Sequence, residues 1–304
     1  MSPLIRAFFA AVLAAGLSPL GSVRAAGAGL DTARIEALTG LKGSFNEREG
    51  VFKVASPRRD VAIKVEGWTM PPFMGLTSWA AFKAGAKAPA MVMGDLVLFE
   101  DEVNPVLSAL LAQGVEVTAL HNHFFFDQPH VYFMHLGGEG TIDALAGGVK
   151  AAFATVARVR AAHPAPGSAF SAEGLPDQST ISAGPLEAAL AAKAQRNSGM
   201  VKFVFGRQVT MECGCAAGAD LGVNTWAAFA GADDNAVVDG DFAVKETELQ
   251  AVLKSLRGDG INIVAIHSHM TGETPRMLFL HYWGRGPAAD LAAALKRALS
   301  TQAP

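Results

Sequence analysis

Two stretches of the chain carry histidines at a spacing that suits metal binding. ALHNHFFFDQPHVYFMHLGGEG, residues 119–140, aligns without a gap to AIHSHMTGETPRMLFLHYWGRG, residues 265–286. Each stretch contains a His-x-His pair, and alternate side chains of a strand point to the same face, so both imidazoles of a pair can reach one metal ion. The pairs are His121 with His123 and His267 with His269.

Further ligands for such an ion are available in both stretches. A carboxylate follows the second histidine by four residues, as Asp127 in the first stretch and Glu273 in the second, and a third histidine comes later, as His135 and His281. Two histidines with one carboxylate form the ligand set of many non-haem iron sites, and the same donors suit zinc with an open position. Zinc or iron is therefore the predicted divalent metal, with copper and manganese as alternatives.

The face on which the third histidine lies depends on the register of the predicted hairpin. If His123 pairs with His130, His135 falls on the opposite face, and a slip of one residue reverses this. The sequence leaves both registers open, and His135 and His281 are included among the predicted metal ligands. The alternative for all these histidines is a buried, hydrogen-bonded role in the core.

The two stretches differ at one position that bears on substrate binding. His130 in the first stretch corresponds to Arg276 in the second. An arginine cannot ligate a cation, but it can hold a carboxylate or a phosphate through two hydrogen bonds. Both residues are therefore predicted to contact substrate. The alternative for Arg276 is an ion pair with the nearby Glu273.

These residues favour hydrolysis by metal-activated water if the site is catalytic. Glu273 or Asp127 would then act as general base or as a ligand, and the substrate would be a small molecule or an envelope-associated compound. A second hypothesis is a binding module that holds a metal ion or a small ligand without turnover. A third is a structural envelope protein whose histidines only form hydrogen bonds.

The match between the two stretches is part of a longer internal repeat with an offset of 146 residues. Gly94-Asp95 matches Gly240-Asp241, and Gly114 matches Gly260. Each copy predicts strands, then a helix, a hairpin and a last helix. The predicted fold is α+β, with two tandem homologous repeats, each a mainly antiparallel sheet with two helices, packed as a pseudo-symmetric pair.

The boundaries of the repeats follow from composition. The first repeat is predicted over residues 31–162 and the second over residues 184–304, with a linker rich in Pro, Gly, Ser and Ala over residues 163–185. Residues 1–25 are predicted to be a signal peptide, because Arg6 precedes a short apolar run that ends in small residues. The expected location is periplasmic or secreted, with no membrane span.

Composition limits the possible partners. The chain has 304 residues, 50% of them hydrophobic, and a net charge of −3. It therefore has ample material for a core and no basic excess that would favour nucleic acid binding. The oligomeric state is not predicted. Cys213 and Cys215 are predicted to be small apolar residues in a buried strand, and the alternative is a thiolate pair that binds a soft metal.

The repeated histidine segments resemble the LppY/LpqO family of exported bacterial proteins. The resemblance rests on HNHFFFDQPHVYFMHL and HSHMTGETPRMLFLHYWG, each preceded by Gly-Asp and Glu-x-Glu, and it extends over nearly all of the chain after the predicted signal peptide. It implies an exported, internally duplicated protein whose activity is unsettled. The lipobox cysteine of the lipoprotein members is absent, so the resemblance does not imply a lipid anchor.

Overall fold

The computed structural model describes residues 29–168, 172 and 174–303, so the predicted signal peptide lies outside the described residues. The helices are α1 (Thr32–Thr39), α2 (Glu100–Ala112), α3 (Ile142–Ala162), α4 (Ala183–Leu190), α5 (Leu249–Gly258) and α6 (Ala288–Leu299), with short 3-10 turns at Pro72–Met74, Ala219–Leu221 and Glu246–Glu248. The strands are β1 (Gly43–Asn46), β2 (Val51–Pro57), β3 (Lys64–Val65), β4 (Trp68–Thr69), β5 (Thr77–Ala84), β6 (Ala90–Phe99), β7 (Glu116–His121), β8 (Asp127–Gln128), β9 (Val131–Gly140), β10 (Gln195–Asn197), β11 (Met200–Gly206), β12 (Val209–Thr210), β13 (Ala216–Ala217), β14 (Asn224–Gly231), β15 (Ala236–Lys245), β16 (Asn262–His267) and β17 (Met277–Gly286).

The two repeats join edge to edge in one antiparallel sheet of twelve strands. Its order is β1-β2-β5-β6-β9-β7-β16-β17-β15-β14-β11-β10, which places corresponding strands of the repeats at equal distances from the centre. The predicted α+β fold with two homologous, pseudo-symmetric repeats is confirmed. Each repeat also begins with a short helix, α1 or α4, that the sequence analysis did not predict.

The helices and the sheet enclose the main core, and smaller cores lie on the other face of the sheet. Alternate strand residues such as Leu96 and Phe242 pack with helical residues such as Leu107 and Leu253. On the opposite face, one small cluster surrounds Phe133 beneath the β4-β3-β8 sheet. A second surrounds Phe279 beneath the β12-β13 hairpin. The sheet therefore has a helix-covered face and an opposite face with only local cover.

Side-chain amides support the junction between the repeats, where strand pairing is short. A single bridge joins Leu120 of β7 to Ile266 of β16. Beside it, Asn104 of α2 donates to the Ile263 carbonyl at 3.1 Å and accepts from the Ile263 N–H at 2.8 Å. Gln250 of α5 makes the same pair of bonds with Val117, at 2.8 and 3.1 Å. Each repeat thus satisfies backbone groups of the other.

The cysteine prediction is wrong. Cys213 and Cys215 are exposed and form a disulfide in the turn between β12 and β13. The segment lies at the solvent-exposed tip of the β12-β13 hairpin and not in a buried strand. Among the described residues, no helix is long and apolar enough to cross a membrane.

Replacing Asn104 with alanine should destabilise the junction. The substitution removes two hydrogen bonds and leaves the N–H and carbonyl of Ile263 without these partners, which should cost about 2 kcal/mol of unfolding free energy. Gln250→Ala should cost a similar amount, for the same reason at Val117. Urea unfolding followed by circular dichroism measures both. The matched control is Asn197→Ala at an exposed strand end, and equal stability of all four proteins would contradict the assigned role.

Candidate metal centre

A β-bulge sets the direction of the histidines in each repeat. In β7, Val117 pairs with Leu136, whereas Ala119 pairs with His135, so Thr118 is an extra residue. Val117 and Leu120 consequently both face the helix-covered core although they are three residues apart. Without the extra residue, His121 and His135 would lie on opposite faces. The same shift occurs in β16, between Ile263 and Ala265.

With this register, the three histidines of each repeat form a cluster on the face opposite the helices. In the first repeat the ring of His121 lies 5.2 Å from the ring of His123 and 5.2 Å from that of His135, measured between centroids. In the second, His267 lies 5.1 Å from His269 and 4.7 Å from His281. Of the two hairpin registers that the sequence left open, the structure has the one that places all three histidines of a repeat on the same face.

Phenylalanines hold the second histidine of each pair. The ring of His123 stacks on Phe133 with centroids 3.5 Å apart and planes 5° apart. His269 stacks on Phe279 at 3.5 Å and 8°. Both phenylalanines belong to the small cores on this face, so these cores orient the imidazoles.

The carboxylate nearest to each cluster is one that the sequence analysis did not select. Asp95 of β6 pairs directly with His135, and Asp241 of β15 pairs directly with His281. A sequence signal for both aspartates was present, because the Gly-Asp pair occurs at matching positions of the two repeats. The glycine is required, because a Cβ at Gly240 would lie 2.2 Å from Tyr282 Oη.

In the second repeat, three of these side chains converge tightly. One potential ligand atom each from Asp241, His267 and His269 lies within 4.8 Å of the other two, and no other group of three in the described part of the chain meets this criterion. Asp241 is buried, His267 is partly buried and His269 is exposed. The arrangement offers two nitrogen donors and one oxygen donor at the edge of solvent.

Hydrogen bonding leaves the ligand atoms of this group available. His269 Nδ1 lies 3.2 Å from the carbonyl of Gly222, which can only accept, so Nδ1 carries the proton. Nε2 of the same ring lies 3.0 Å from Asp241 Oδ2, so a proton or a cation must lie between them. Asp241 Oδ1 and His267 Nε2 are buried without a hydrogen-bond partner. Buried polar atoms without partners are rare in native proteins and require an explanation.

Burial dominates the electrostatics of both clusters. It raises the pKa of Asp241 and of Asp95, and the neighbouring histidines counteract this only in part. It lowers the pKa of His267 and of His123, against the attraction of the nearby aspartate in each case. Neutral imidazoles are the form that binds metals.

The predicted carboxylates occupy a different place, in the turn of each hairpin. Asp127 accepts from the Val131 N–H at 2.7 Å, and His130 Nδ1 lies 3.4 Å from its other oxygen. Neither side chain belongs to a converging group of three potential ligands, because the single such group among the described residues lies in the second repeat. The side chain of His130 is largely exposed.

Glu273 holds the equivalent turn of the second repeat. It accepts from the Met277 N–H at 2.9 Å and from Arg276 Nη1 at 3.0 Å. Burial alone would raise the pKa of Glu273, but these hydrogen bonds and the positive charge of Arg276 lower it overall. The alternative for Arg276, an ion pair with Glu273, is therefore present. Glu273 Oε2 remains buried without a hydrogen-bond partner.

The chain belongs to the DUF1529 family, described as "Domain of Unknown Function (DUF1259)", whose model matches residues 33–155 and again residues 184–301. No curated protein matches the chain significantly. A trimeric bacterial microcompartment shell protein, PduB, has 10% identity over 84% of this chain and 88% of its own, with a TM-score of 0.21. The ethanolamine utilization protein EutL from Leptotrichia buccalis has 11% identity over 71% and 82%, with a TM-score of 0.20. Both scores are too low to support an argument about fold or function.

In the metal-free protein, His267 should titrate below the ordinary histidine pKa of 6.5, because burial disfavours its charged form. Asp241→Asn should lower the pKa of His267 further, since it removes a negative charge that favours the imidazolium. Nitrogen-15 NMR of the imidazole rings as a function of pH measures both changes.

Glu273→Gln is the matched control, because this carboxylate bonds to Arg276 and the Met277 N–H. It should leave the pKa of His267 unchanged. A larger shift from Glu273→Gln than from Asp241→Asn would mean that Glu273, and not Asp241, is the carboxylate partner of His267.

Proposed function

We propose that the protein binds a divalent metal ion in its second repeat through Asp241, His267 and His269. The supporting observation is the set of ligand atoms without hydrogen-bond partners. The unpartnered atoms are Asp241 Oδ1 and His267 Nε2. A cation bound by Nε2 of His267, Nε2 of His269 and the carboxylate of Asp241 would give His267 Nε2 a partner and would explain why His269 Nε2 lies 3.0 Å from Asp241 Oδ2. The hydrogen bond from His269 Nδ1 to the Gly222 carbonyl fixes the tautomer of His269, which leaves Nε2 as the nitrogen that can bind the metal.

The donor set favours zinc or iron. Two imidazole nitrogens and a carboxylate oxygen suit both metals, and no sulfur donor belongs to the group. Copper and manganese remain alternatives for nitrogen and oxygen donors. His281 is proposed as a fourth ligand or as a support for His267, because its ring lies 4.7 Å from that of His267 and it pairs with Asp241 across the sheet.

We propose a weaker site in the first repeat. Asp95, His121, His123 and His135 repeat the residue types and the register, and Asp95 Oδ1 is likewise buried without a hydrogen-bond partner. Their ligand atoms do not meet the convergence found in the second repeat, where the described residues contain a single such group. Binding there requires side chains to move, which lowers affinity.

Metal-dependent hydrolysis is the second candidate function. Three protein ligands leave a coordination position for water, the arrangement of catalytic zinc sites, and His269 lies at the solvent edge. Glu273 is the proposed general base; one of its oxygens bonds to Arg276, and the other is buried without a hydrogen-bond partner. We further propose that the protein is exported, that it belongs to the LppY/LpqO group, and that its substrate is a small molecule or an envelope-associated compound. The rival hypothesis is a binding protein without catalytic activity.

Metal content should distinguish the two repeats. Untagged protein loaded with zinc and dialysed should retain about one ion per chain by elemental mass spectrometry, because the second-repeat ligands already converge. The His267→Ala/His269→Ala variant should lose this ion. The equivalent His121→Ala/His123→Ala variant should keep it and lose only the weaker binding seen in a zinc titration.

The matched control is His130→Ala, which removes an exposed turn histidine outside the group. It should retain the wild-type metal content. No metal in the wild-type protein after loading with zinc, iron, manganese and copper would refute the metal proposal and favour structural histidines.

A further inference from the structure

We propose that the Cys213–Cys215 disulfide is a reversible thiol–disulfide exchange site whose preferred substrates are neutral or cationic dithiols. Both cysteines are exposed and lie in the turn between β12 and β13, with Gly214 between them. An exposed disulfide is open to attack by a thiolate, and exposed disulfides belong to the labile, regulatory or catalytic class. The inference does not depend on the metal proposal, because neither cysteine belongs to the group of converging ligands.

The fold does not need this disulfide to form the hairpin. The bond closes a loop of only three residues, and the entropy that a disulfide removes from the unfolded chain is least for the shortest loops. The first repeat forms the equivalent β3-β4 hairpin without a cysteine. Lys64 pairs with Thr69 there, whereas Thr210 pairs with Ala216 in the second repeat. The tip of the second repeat is therefore one residue longer and holds both cysteines of the chain.

Backbone hydrogen bonds hold the tip in place independently of the sulfur atoms. The Met211 N–H donates to the Cys215 carbonyl at 2.8 Å, and the Gly214 N–H donates to the Met211 carbonyl at 2.8 Å. At the base of the hairpin, the Thr210 N–H donates to the Thr274 carbonyl at 2.9 Å, and the Thr274 N–H donates to the Thr210 carbonyl at 2.8 Å. The disulfide can therefore open and close without unfolding of the hairpin.

One backbone donor distinguishes the two sulfur atoms. The Cys215 N–H donates to Cys213 Sγ at 3.4 Å. A hydrogen bond to the charged form of a thiol favours that form, and a thiol of lower pKa leaves faster in exchange. The incoming thiolate therefore bonds to Cys215 Sγ. Cys213 Sγ leaves with the electron pair of the broken S–S bond and takes up a proton, which leaves a mixed disulfide on Cys215.

A dithiol completes the exchange. Its second thiolate attacks its own first sulfur in the mixed disulfide, which forms the disulfide of the substrate and releases Cys215 as a thiolate that takes up a proton. The dithiol loses two electrons and two protons, and the protein disulfide gains both as two thiols. The same steps in reverse, with an external disulfide, restore the oxidised hairpin.

The charge beside the sulfur atoms selects among thiols. Glu212 directly precedes Cys213, is exposed, and is the one charged residue between Thr210 and Gly218. Its carboxylate repels a thiol that carries an acid group and attracts one that carries an amine. Neutral and cationic thiols are therefore preferred over anionic ones.

Trapping with the monothiol cysteamine tests the proposal and identifies the attacked sulfur. The full chain, dialysed against a chelator, is treated with cysteamine, quenched early with iodoacetamide and mapped by tandem mass spectrometry. Cysteamine is expected on Cys215 and the alkyl group on Cys213, in protein whose circular dichroism is unchanged. Equal distribution over both cysteines would overturn the assignment of Cys213 as the leaving group. A disulfide that reacts only after urea unfolds the chain would overturn the proposal.

Reaction rates test the selection by charge. At equal thiolate concentration and low salt, cysteamine should react faster than mercaptoethanol, and mercaptoethanol faster than mercaptoethanesulfonate, by about twofold to fivefold at each step. Glu212→Gln should reduce these ratios. Glu66→Gln, at the equivalent position of the first repeat's hairpin, is the matched control and should keep the wild-type ratios. Unchanged ratios in Glu212→Gln would overturn the role of Glu212.

Discussion

The extra residue in β7 and β16 is the constraint on which the candidate site depends. A strand shows alternate residues to each face, and a bulge resets that alternation. In this protein the reset allows Val117 to pack in the helix-covered core while His121, four residues later, faces the opposite side with His135. A regular strand could not satisfy both the core and the histidine cluster. The site therefore exists because the ladder is interrupted.

The single bridge between β7 and β16 explains the amide pairs at the junction of the repeats. The residues just before the bulges, Val117 and Ile263, have their backbone groups satisfied by Gln250 and Asn104 of the opposite repeat. Strands that meet at only one bridge leave backbone groups that need other partners. The protein supplies them with side chains from helices, so the position of α2 and α5 is linked to the geometry of the histidine strands.

Much of the arrangement could be predicted from local sequence, and the rest depends on long-range pairing. The repeat, the hairpin and the common face of His121 and His123 follow from periodicity and spacing. The bulge gives no local signal, because Thr118 and Val264 are ordinary strand residues without a glycine. Asp95 and Asp241 were missed for a related reason. They reach the histidines through pairing with a strand about 40 residues away, whereas Asp127 and Glu273 are close in sequence but hold their own turns.

The symmetric strand order, with β7 and β16 at the centre, has a consequence for a single repeat. In the full chain, β7 and β16 cover one another at the centre of the sheet, and each is the end strand of its own repeat. A single repeat would expose this strand as an open edge, with the amide of Asn104 or Gln250 unsatisfied beside it. Two identical copies could close that edge through an isologous contact about a two-fold axis, with each copy supplying the amide that the other needs. The covalent duplication thus has the geometry of a homodimer joined into one polypeptide.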